Sequence, residues 1–300
     1  MNEFQLIQHY FKQASLSFPN KNVIQSIGDD CAELDLLPSH SLHISIDTLV
    51  ENVHFPKDAH PYDIATRALC VSLSDLAAAG ASPVAFTLAI TLPSMDEAWL
   101  AAFSEGLAFI AQKYDCPLIG GDTTKGSSLV ITIQVHGQCP KGASLKRSGA
   151  KPGHKVYVSN VLGEGAGALK QVLENPKDKT GLAQHYYCPL PQVEYGIALR
   201  QIASSCLDIS DGLVQDLNHI CKASVVGMNL NSNNIPLSRL LVETLGKQGA
   251  LTAALSGGDD YQLAYTAINC DKGICIGDVV TGSEVLVDGL VPDLKGYQHF

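Results

Sequence analysis

The sequence predicts a mixed α/β (α+β) fold in two domains. Alternating apolar and polar residues, typical of half-buried strands, recur in both halves of the chain, and segments with helical apolar spacing lie between them. A length of 300 residues is more than one ordinary domain needs. The stretch from 140 to 153 is rich in Lys, Gly and Ser and has no apolar periodicity. We therefore predict an N-terminal domain at 1–140, a linker at 141–153 and a C-terminal domain at 154–300.

Elements of the N-terminal half follow from these periods in chain order. Apolar residues at helical spacing predict a helix over 4–14, and Ser41–Ile46 alternates as a strand that ends at Asp47. Leu118 and Ile119 predict a short buried strand that runs into Gly120-Gly121-Asp122. The other predicted elements are a helix over 63–79, a strand over 84–92, a helix over 95–114 and a strand over 129–136.

The C-terminal half contains the same mixture. A strand over 155–159 precedes Gly163–Gly167, which opens a helix. Further helices are predicted over 193–204, 212–222 and 237–246, and strands over 225–230, 261–265, 274–276 and 284–287.

Composition excludes several classes of protein. Hydrophobic residues are 46% and charged residues 17%, which argues against disorder. A formal net charge of −10 argues against nucleic-acid binding through a basic face. We expect no signal peptide and no membrane span, because the first residues lack a basic and an apolar region and the most apolar stretch is short and interrupted. Nine cysteines without a Cys-x-x-Cys pair predict free thiols in a reducing cytoplasm.

Aspartate is unusually abundant relative to glutamate. The chain has 20 Asp and 10 Glu, and Asp favours turns, helix caps and metal coordination. Carboxylates stand where predicted loops meet regular elements, at Asp29-Asp30, Asp47, Asp75, Asp122 and Asp208 with Asp211. A single Gly-Asp is most often a turn or a cap. A gathered set would need cations between its members, because carboxylates repel one another, and hard oxygens are the ligands that Mg²⁺ takes.

Three other features have two interpretations from chemistry alone. Gly163–Gly167 before a helix could cradle a phosphate on backbone N–H groups or could be a strand-to-helix turn. Lys146-Arg147 could clamp a nucleotide phosphate or lie in a solvated loop. His54 is more commonly a structural histidine than a ligand. The chain has neither a P-loop motif nor the loop and His-Arg-Asp set of protein kinases.

Seven motifs in order resemble one known family. They are Ile27-Gly28-Asp29-Asp30-Cys31-Ala32, Ser45-Ile46-Asp47-Thr48-Leu49-Val50 with His54-Phe55, Leu73-Ser74-Asp75-Leu76-Ala77-Ala78 with Gly80-Ala81-Ser82-Pro83, Ile119-Gly120-Gly121-Asp122-Thr123-Thr124, Arg147-Ser148-Gly149-Ala150-Lys151-Pro152-Gly153, Asp208-Ile209-Ser210-Asp211-Gly212-Leu213 and Leu255-Ser256-Gly257-Gly258-Asp259-Asp260-Tyr261. The chain resembles the thiamine-monophosphate kinase family of the aminoimidazole-ribonucleotide-synthetase-like ATP-binding superfamily. The resemblance covers nearly the whole chain.

This resemblance implies a fold, an activity and a site. It implies an N-terminal mixed-sheet domain that forms a homodimer, a C-terminal α/β domain, and transfer of the γ-phosphoryl group of ATP to thiamine monophosphate, the last step of thiamine diphosphate biosynthesis. Several Mg²⁺ ions would be held by Asp30, Ser45, Asp47, Asp75, Asp122, Asp208 and Asp211, with Ile46 contributing backbone only. ATP would contact Gly121, Asp122, Arg147 and Ser210, and thiamine monophosphate would contact His54, Asp259 and Leu294. No residue is expected to act as a general base, because the acceptor phosphate is already ionised.

Three residues depart from the family pattern. Ile46 stands where Thr is usual, Asp259 replaces the Glu of Gly-Gly-Glu-Asp, and Leu294 replaces an aromatic residue before Lys-Gly-Tyr. The alternatives are a sister enzyme of the superfamily (aminoimidazole ribonucleotide synthetase, selenophosphate synthetase or the hydrogenase-maturation dehydratase) and a non-catalytic nucleotide- or metal-binding regulator. A regulator with a decayed site predicts lost aspartates, and the set here is complete.

Overall fold

The chain divides into two structural units. The computed structural model describes residues 3–293 and residue 296. The first unit holds the residues up to Leu76, Ala81–Gly142 and the short segment Leu173–Lys177. The second holds Ala77–Gly80, Ala143–Val172 and the described chain from Asp178 onward. Helices and strands occur in both units, so the predicted mixed α/β class is confirmed.

The first half of the chain forms three helices and six strands within the described residues. In order they are α1 (Glu3–Leu6) with a π-helical turn (Ile7–Phe11), β1 (Val23–Gln25), β2 (Glu33–Leu34), β3 (His40–Val50), α2 (Pro61–Ala78), β4 (Ser82–Leu92), α3 (Glu97–Lys113), β5 (Leu118–Lys125) and β6 (Val130–Pro140).

The second half follows with five helices and six strands in its described part. They are β7 (Lys155–Val158), α4 (Glu164–Glu174), α5 (Ala183–Tyr187), α6 (Val193–Leu199), β8 (Ser205–Asp208), α7 (Leu213–Ser224), β9 (Gly227–Leu230), a 3₁₀ turn (Ser232–Asn234), α8 (Arg239–Ser256), β10 (Leu263–Ala267), β11 (Ile274–Val280) and β12 (Val285–Val287). Among all described residues, no helix is both long and apolar enough to cross a bilayer.

A four-stranded sheet organises the first unit. Its order is β3-β6-β4-β5, with β4 and β5 parallel and the other neighbours antiparallel. Strand β6 alternates strictly, with Ile131, Ile133 and Val135 buried, because side chains of a strand point to opposite faces in turn. Helices α2 and α3 supply further core residues, among them Leu69, Leu73, Phe103 and Leu107.

A six-stranded sheet organises the second unit. Its order is β12-β9-β11-β7-β10-β8, and only the β12–β9 pair is parallel. Helix α7 buries Leu213, Leu217 and Ile220, which recur at helical spacing on one face. These residues join Val156 and Leu207 of the sheet in one hydrophobic cluster.

Several predicted boundaries were wrong. Strand β5 runs through Asp122 to Lys125, because β4 offers parallel partners along that whole length. Helix α6 ends at Leu199, five residues before its predicted end at 204. Helical structure continues past the predicted end at 246 to Ser256, although Gly246 (φ 69°, ψ 163°) breaks the helix where the sequence predicted its end. Glycine permits this backbone conformation without a steric cost.

Val225 is strained, and its replacement by glycine is expected to stabilise the protein. This β-branched residue follows α7 in the left-handed region (φ 56°, ψ 51°), and its side chain is 86% exposed. Left-handed backbone costs an L-residue about 1–2 kcal/mol, which glycine avoids at helix C-termini. We expect Val225→Gly to raise the free energy of unfolding by about 0.5–1 kcal/mol in urea titrations, since glycine recovers part of that cost. Val225→Ala keeps a Cβ and should gain less; a destabilised Val225→Gly would contradict the prediction.

Candidate active site

Strand β3 and helix α2 bring three of the predicted metal ligands together. Ser45 and Asp47 are two positions apart on β3 and therefore share one face. Asp75 lies on α2, and the Ser45 hydroxyl donates a short hydrogen bond to its Oδ2. The predicted grouping of Ser45, Asp47 and Asp75 in the first unit is what the geometry contains.

Asp47 is the most perturbed carboxyl group of this cluster. Burial, followed by the negative charge of Asp75, raises the pKa of Asp47 to about 6, and the Ser72 hydroxyl opposes the rise. Oδ2 of Asp47 is buried and has no hydrogen-bond partner among the described residues. A buried carboxylate oxygen without a partner, beside a second carboxylate and a hydroxyl, is an oxygen-ligand set suited to a hard divalent cation.

Ile46 lies on the opposite face of β3 from the cluster. Its side chain is 57% exposed and continues a line formed by Leu42 and Ile44. Only its backbone could reach a ligand on the Ser45 side, as the sequence comparison with the family implied. The missing hydroxyl at this position therefore removes nothing from the face that carries Asp47.

The two remaining acidic motifs of the first unit are exposed. Asp30 lies in the turn between β1 and β2, where its backbone N–H donates to Asp29 Oδ1 at 2.9 Å. Asp122 lies on β5 and pairs with Ala89, whereas Gly121 pairs with Leu88 and so falls in line with Ile133 and Asp47. Asp122 is thus one register position beyond the line of pairs that contains Asp47.

In the second unit, the Asp208–Gly212 loop runs beside the Gly257–Tyr261 segment. Asp259 N–H donates to Ser210 O at 2.9 Å, and Tyr261 N–H donates to Ile209 O at 2.7 Å. Gly212 adopts φ 119°, and a Cβ there would lie 2.8 Å from the Ser256 backbone, so no other residue fits without a shift. The motif residues Ser210, Asp211 and Asp259 are therefore neighbours.

The structure adds Asp216, which the sequence prediction missed. Its buried Oδ2 accepts N–H groups of Ser210 at 3.0 Å and Asp211 at 3.1 Å. Burial raises the pKa of Asp216 to about 7, and the amides that it accepts oppose the rise. The available signal was position: Asp216 stands between Leu213 and Ile220 on the apolar face of α7, where an acidic residue needs a partner.

Gly163–Gly167 is a strand-to-helix turn whose amides already have an anion. Gly163 N–H donates to both carboxylate oxygens of Asp260, at 2.9 and 2.7 Å. Gly165 N–H reaches Asp260 Oδ1 at 3.5 Å, and Gly167 N–H donates to Gly163 O. Of the two interpretations left open by the sequence, these contacts favour the turn over the phosphate cradle.

His54 and Arg147 occupy well-defined local positions. His54 Nδ1 accepts the backbone N–H of Val50 at 3.0 Å, so Nε2 carries the proton in the neutral ring. Arg147 is exposed, and its carbonyl accepts the Ser224 hydroxyl at 3.2 Å. Burial, then the charge of Arg147, lowers the pKa of His219, which also interacts with Asp211. Arg147 therefore lies within electrostatic range of the Asp208–Gly212 loop.

Two expectations lack a counterpart in the described coordinates. Leu294 lies outside the described residues. In the parts of the chain that are described, no group of three or more His, Cys, Asp or Glu side chains is close enough to hold a metal ion. Mutual repulsion separates carboxylates that have no cation between them.

Comparisons with known proteins agree with the motif order. Residues 28–139 match the family model for AIR synthase related protein, N-terminal domain. Thiamine-monophosphate kinase of Salmonella typhimurium strain LT2 is 43% identical, over 99% of this chain and 98% of its own length. The crystal structure of thiamine-monophosphate kinase from Stenotrophomonas maltophilia K279a has a TM-score of 0.85 and 36% identity, covering 91% of this chain and 93% of that one. A structure of AaThiL complexed with AMPPCP and TMP has a TM-score of 0.82 and 30% identity, covering 89% of each chain.

These similarities extend over nearly the full length of the chain and of its relatives. They favour the kinase over the sister enzymes and the regulator, since full-length relatives at 42–43% identity are kinases. The chain belongs to the thiamine-monophosphate kinase family.

Proposed function

We propose that this enzyme transfers the γ-phosphoryl group of ATP to thiamine monophosphate, giving thiamine diphosphate and ADP. The structural observation that carries the proposal is the buried Asp47 oxygen beside Asp75 and Ser45, in a chain whose full-length relatives are kinases for this substrate. The complex of AaThiL with AMPPCP and TMP supports the same pair of substrates.

The reaction requires positioning and charge neutralisation rather than a base. The acceptor phosphate carries a charge of roughly −1.5 to −2 at neutral pH, so its oxygen needs no deprotonation. Phosphoryl transfer is largely a matter of aligning two anionic groups and offsetting their charge. The absence of a Ser-His-Asp or paired acid–base motif in the sequence fits this chemistry.

The carboxylates fit a role in holding Mg²⁺. Asp47 and Asp75 with the Ser45 hydroxyl form a compact oxygen set, and Asp47 Oδ2 has the vacant hydrogen-bonding capacity that a cation would fill. Bound Mg²⁺ would offset the charge of the nucleotide phosphates. The complete proposed ligand set is Asp30, Ser45, Asp47, Asp75, Asp122, Asp208 and Asp211, with Ile46 offering only backbone.

The two substrates are assigned to separate motifs. We propose that ATP contacts Gly121, Asp122, Arg147 and Ser210. His54 Nε2–H and the Asp259 carboxylate would face thiamine monophosphate, together with Leu294. Tyr261 OH donates to Asp259 Oδ1 at 3.1 Å, which fixes the shorter side chain that replaces the family's usual glutamate.

The domains divide these tasks between them. In this proposal, residues 1–140 bind ATP and Mg²⁺ and form the dimer, 141–153 link, and 154–300 complete the site. A cytoplasmic location is consistent with nine cysteines that are all free.

The exposed face of β3 supports a homodimer. Leu42, Ile44 and Ile46 are 45%, 55% and 57% exposed, and together form an apolar line on an edge strand of eleven residues. A long apolar edge strand invites pairing or aggregation unless another surface covers it. We propose that the same strand of a second copy is the partner, because a two-fold interface places like surfaces against each other.

A charge on this face is expected to separate the dimer. Ile44→Lys places an ammonium in the middle of the line, where burial in an interface would cost several kcal/mol. We expect sedimentation to show a folded monomer for this variant and a dimer for the unchanged protein. Ile268→Lys, at a residue 68% exposed in the second unit, is the control and should remain dimeric. A dimeric Ile44→Lys protein would contradict the assignment of this face.

One assay tests the proposed activity. The protein is incubated with ATP, Mg²⁺ and thiamine monophosphate, and thiamine diphosphate is measured by chromatography. Unphosphorylated thiamine serves as the control acceptor and should give no product. Failure to form thiamine diphosphate would overturn the proposal.

A further inference from the structure

We propose that Asp216 is a positioning residue whose carboxylate holds the Asp208–Gly212 loop in the shape that binds the metal–nucleotide. This inference rests on the proposed function, because Ser210 and Asp211 are its assigned nucleotide and metal contacts. Asp216 itself would touch neither substrate. It would act through the backbone of the residues that do.

The hydrogen bonds define how Asp216 acts. A single oxygen, Oδ2, accepts the N–H groups of both Ser210 and Asp211, at 3.0 and 3.1 Å. The carboxyl group is buried, so water cannot replace it as an acceptor. Two successive amides directed at one point fix the peptide planes between Ile209 and Gly212. They thereby fix the Cα–Cβ bonds from which the Ser210 and Asp211 side chains begin.

The far side of the same loop is also held. Ser210 O accepts Asp259 N–H, and Ile209 O accepts Tyr261 N–H. The Gly257–Tyr261 segment and Asp216 therefore contact opposite polar groups of the loop backbone. Removing the Asp216 acceptor would leave one side unsupported and two buried amides unsatisfied, at a cost of about 1–3 kcal/mol each.

An acidic residue at this place is not explained by packing. Asp216 shares the apolar face of α7 with Leu213 and Ile220, which belong to the hydrophobic cluster. An apolar side chain there would avoid the desolvation cost of a buried carboxyl group but would offer the loop no acceptor. The carboxyl group therefore serves the loop rather than the core.

Three substitutions separate the geometry of the acceptor from its charge. Asp216→Asn keeps an oxygen at the same distance without the charge. Asp216→Glu keeps the charge but displaces the oxygen by one methylene, and Asp216→Ala removes the acceptor. Asp178 provides a matched control, because its exposed side chain also accepts a backbone amide, that of Thr180, at 2.9 Å.

The measurements are affinity for Mg²⁺–AMPPCP by calorimetry, and kcat and KM for each substrate, at a temperature where circular dichroism shows each variant folded. We expect Asp216→Ala and Asp216→Glu to weaken Mg²⁺–AMPPCP binding by about 10–100-fold, the range for residues that orient ligands. KM for ATP should rise more than KM for thiamine monophosphate. Asp216→Asn should bind within a few-fold of the unchanged protein, and Asp178→Ala should be indistinguishable from it.

The outcomes distinguish this inference from the proposed function. If the unchanged protein forms no thiamine diphosphate, the function fails whatever Asp216 does. If it is active and the folded Glu variant binds Mg²⁺–AMPPCP normally, the inference is overturned. An Asn variant that binds as poorly as the Glu variant would also overturn it, because charge rather than oxygen position would then matter. Should the Ala variant not fold, the Asn and Glu pair still decides.

Discussion

Asp75→Asn is expected to lower the turnover of thiamine monophosphate by at least about 100-fold, the scale of losing one charge-stabilising group at a transition state. Asp75 accepts the Ser45 hydroxyl and lies close enough to Asp47 to raise its pKa. Asparagine keeps the size of the side chain and an acceptor oxygen but removes the negative charge. The proposed Mg²⁺ site would lose one of its anionic ligands.

The same substitution is expected to leave stability unchanged or slightly higher. In the metal-free protein, Asp47 and Asp75 repel each other, and removal of one charge relieves that repulsion. A site that is less active but more stable is typical of residues kept for function. Activity assays and urea unfolding in the presence of a chelator measure both effects.

The matched control for this substitution is Asp58→Asn. Asp58 is an exposed aspartate of the same unit and belongs to none of the assigned motifs. Its variant should retain full turnover. Near-normal turnover of Asp75→Asn would refute the metal assignment at this cluster, whereas a large loss of stability would show that Asp75 is mainly structural.

The unfolding free energy is expected to fall as pH rises from about 5 to about 8, and Asp260 is expected to cause part of that fall. Burial raises the pKa of Asp260 from 3.8 to about 8, and the charges of Asp259 and Glu164 add to the rise. The amides of Gly163 and Gly165 oppose it. Between these two pKa values the folded protein holds a proton that the unfolded chain releases.

The sign of the effect follows from this proton. Because the folded state binds more protons than the unfolded state, stability decreases as pH rises, by up to about 1.4 kcal/mol per pH unit for one such group. The contribution is fully present below pH 3.8 and is lost by about pH 8, where the folded carboxyl group also ionises. Asp260→Asn is neutral at every pH and should flatten the dependence by up to that amount.

Urea unfolding in a chelator at pH 5.5, 6.5 and 7.5, for the unchanged protein and Asp260→Asn, measures the difference in slope. Asp271→Asn, at an exposed aspartate of the same unit, should leave the slope unchanged. Parallel pH profiles for Asp260→Asn and the unchanged protein would contradict the raised pKa.

Local patterns were sufficient to predict much of the fold. Strand β3 was predicted from alternation between 41 and 46, and that alternation also placed Ser45 and Asp47 on one face and Ile46 on the other. The length of β5 was not predictable in this way. Its extension through Asp122 depends on parallel partners supplied by β4 from a distant part of the sequence.

The sequence by itself determined the order of the motifs, the mixed α/β class and the residue types suited to metal and phosphate. Tertiary structure decided which carboxylates are ligand candidates and which are supports. Asp259 and Asp260 are adjacent, yet Asp260 is buried against Gly163, 97 positions away, while Asp259 contacts Tyr261. Likewise, Asp216 and Asp75 both lie on helices, but only packing shows that one faces a loop backbone and the other a strand hydroxyl. Periodicity depends on neighbours in the chain, whereas burial, charge and hydrogen-bond partners depend on the residues that folding brings near.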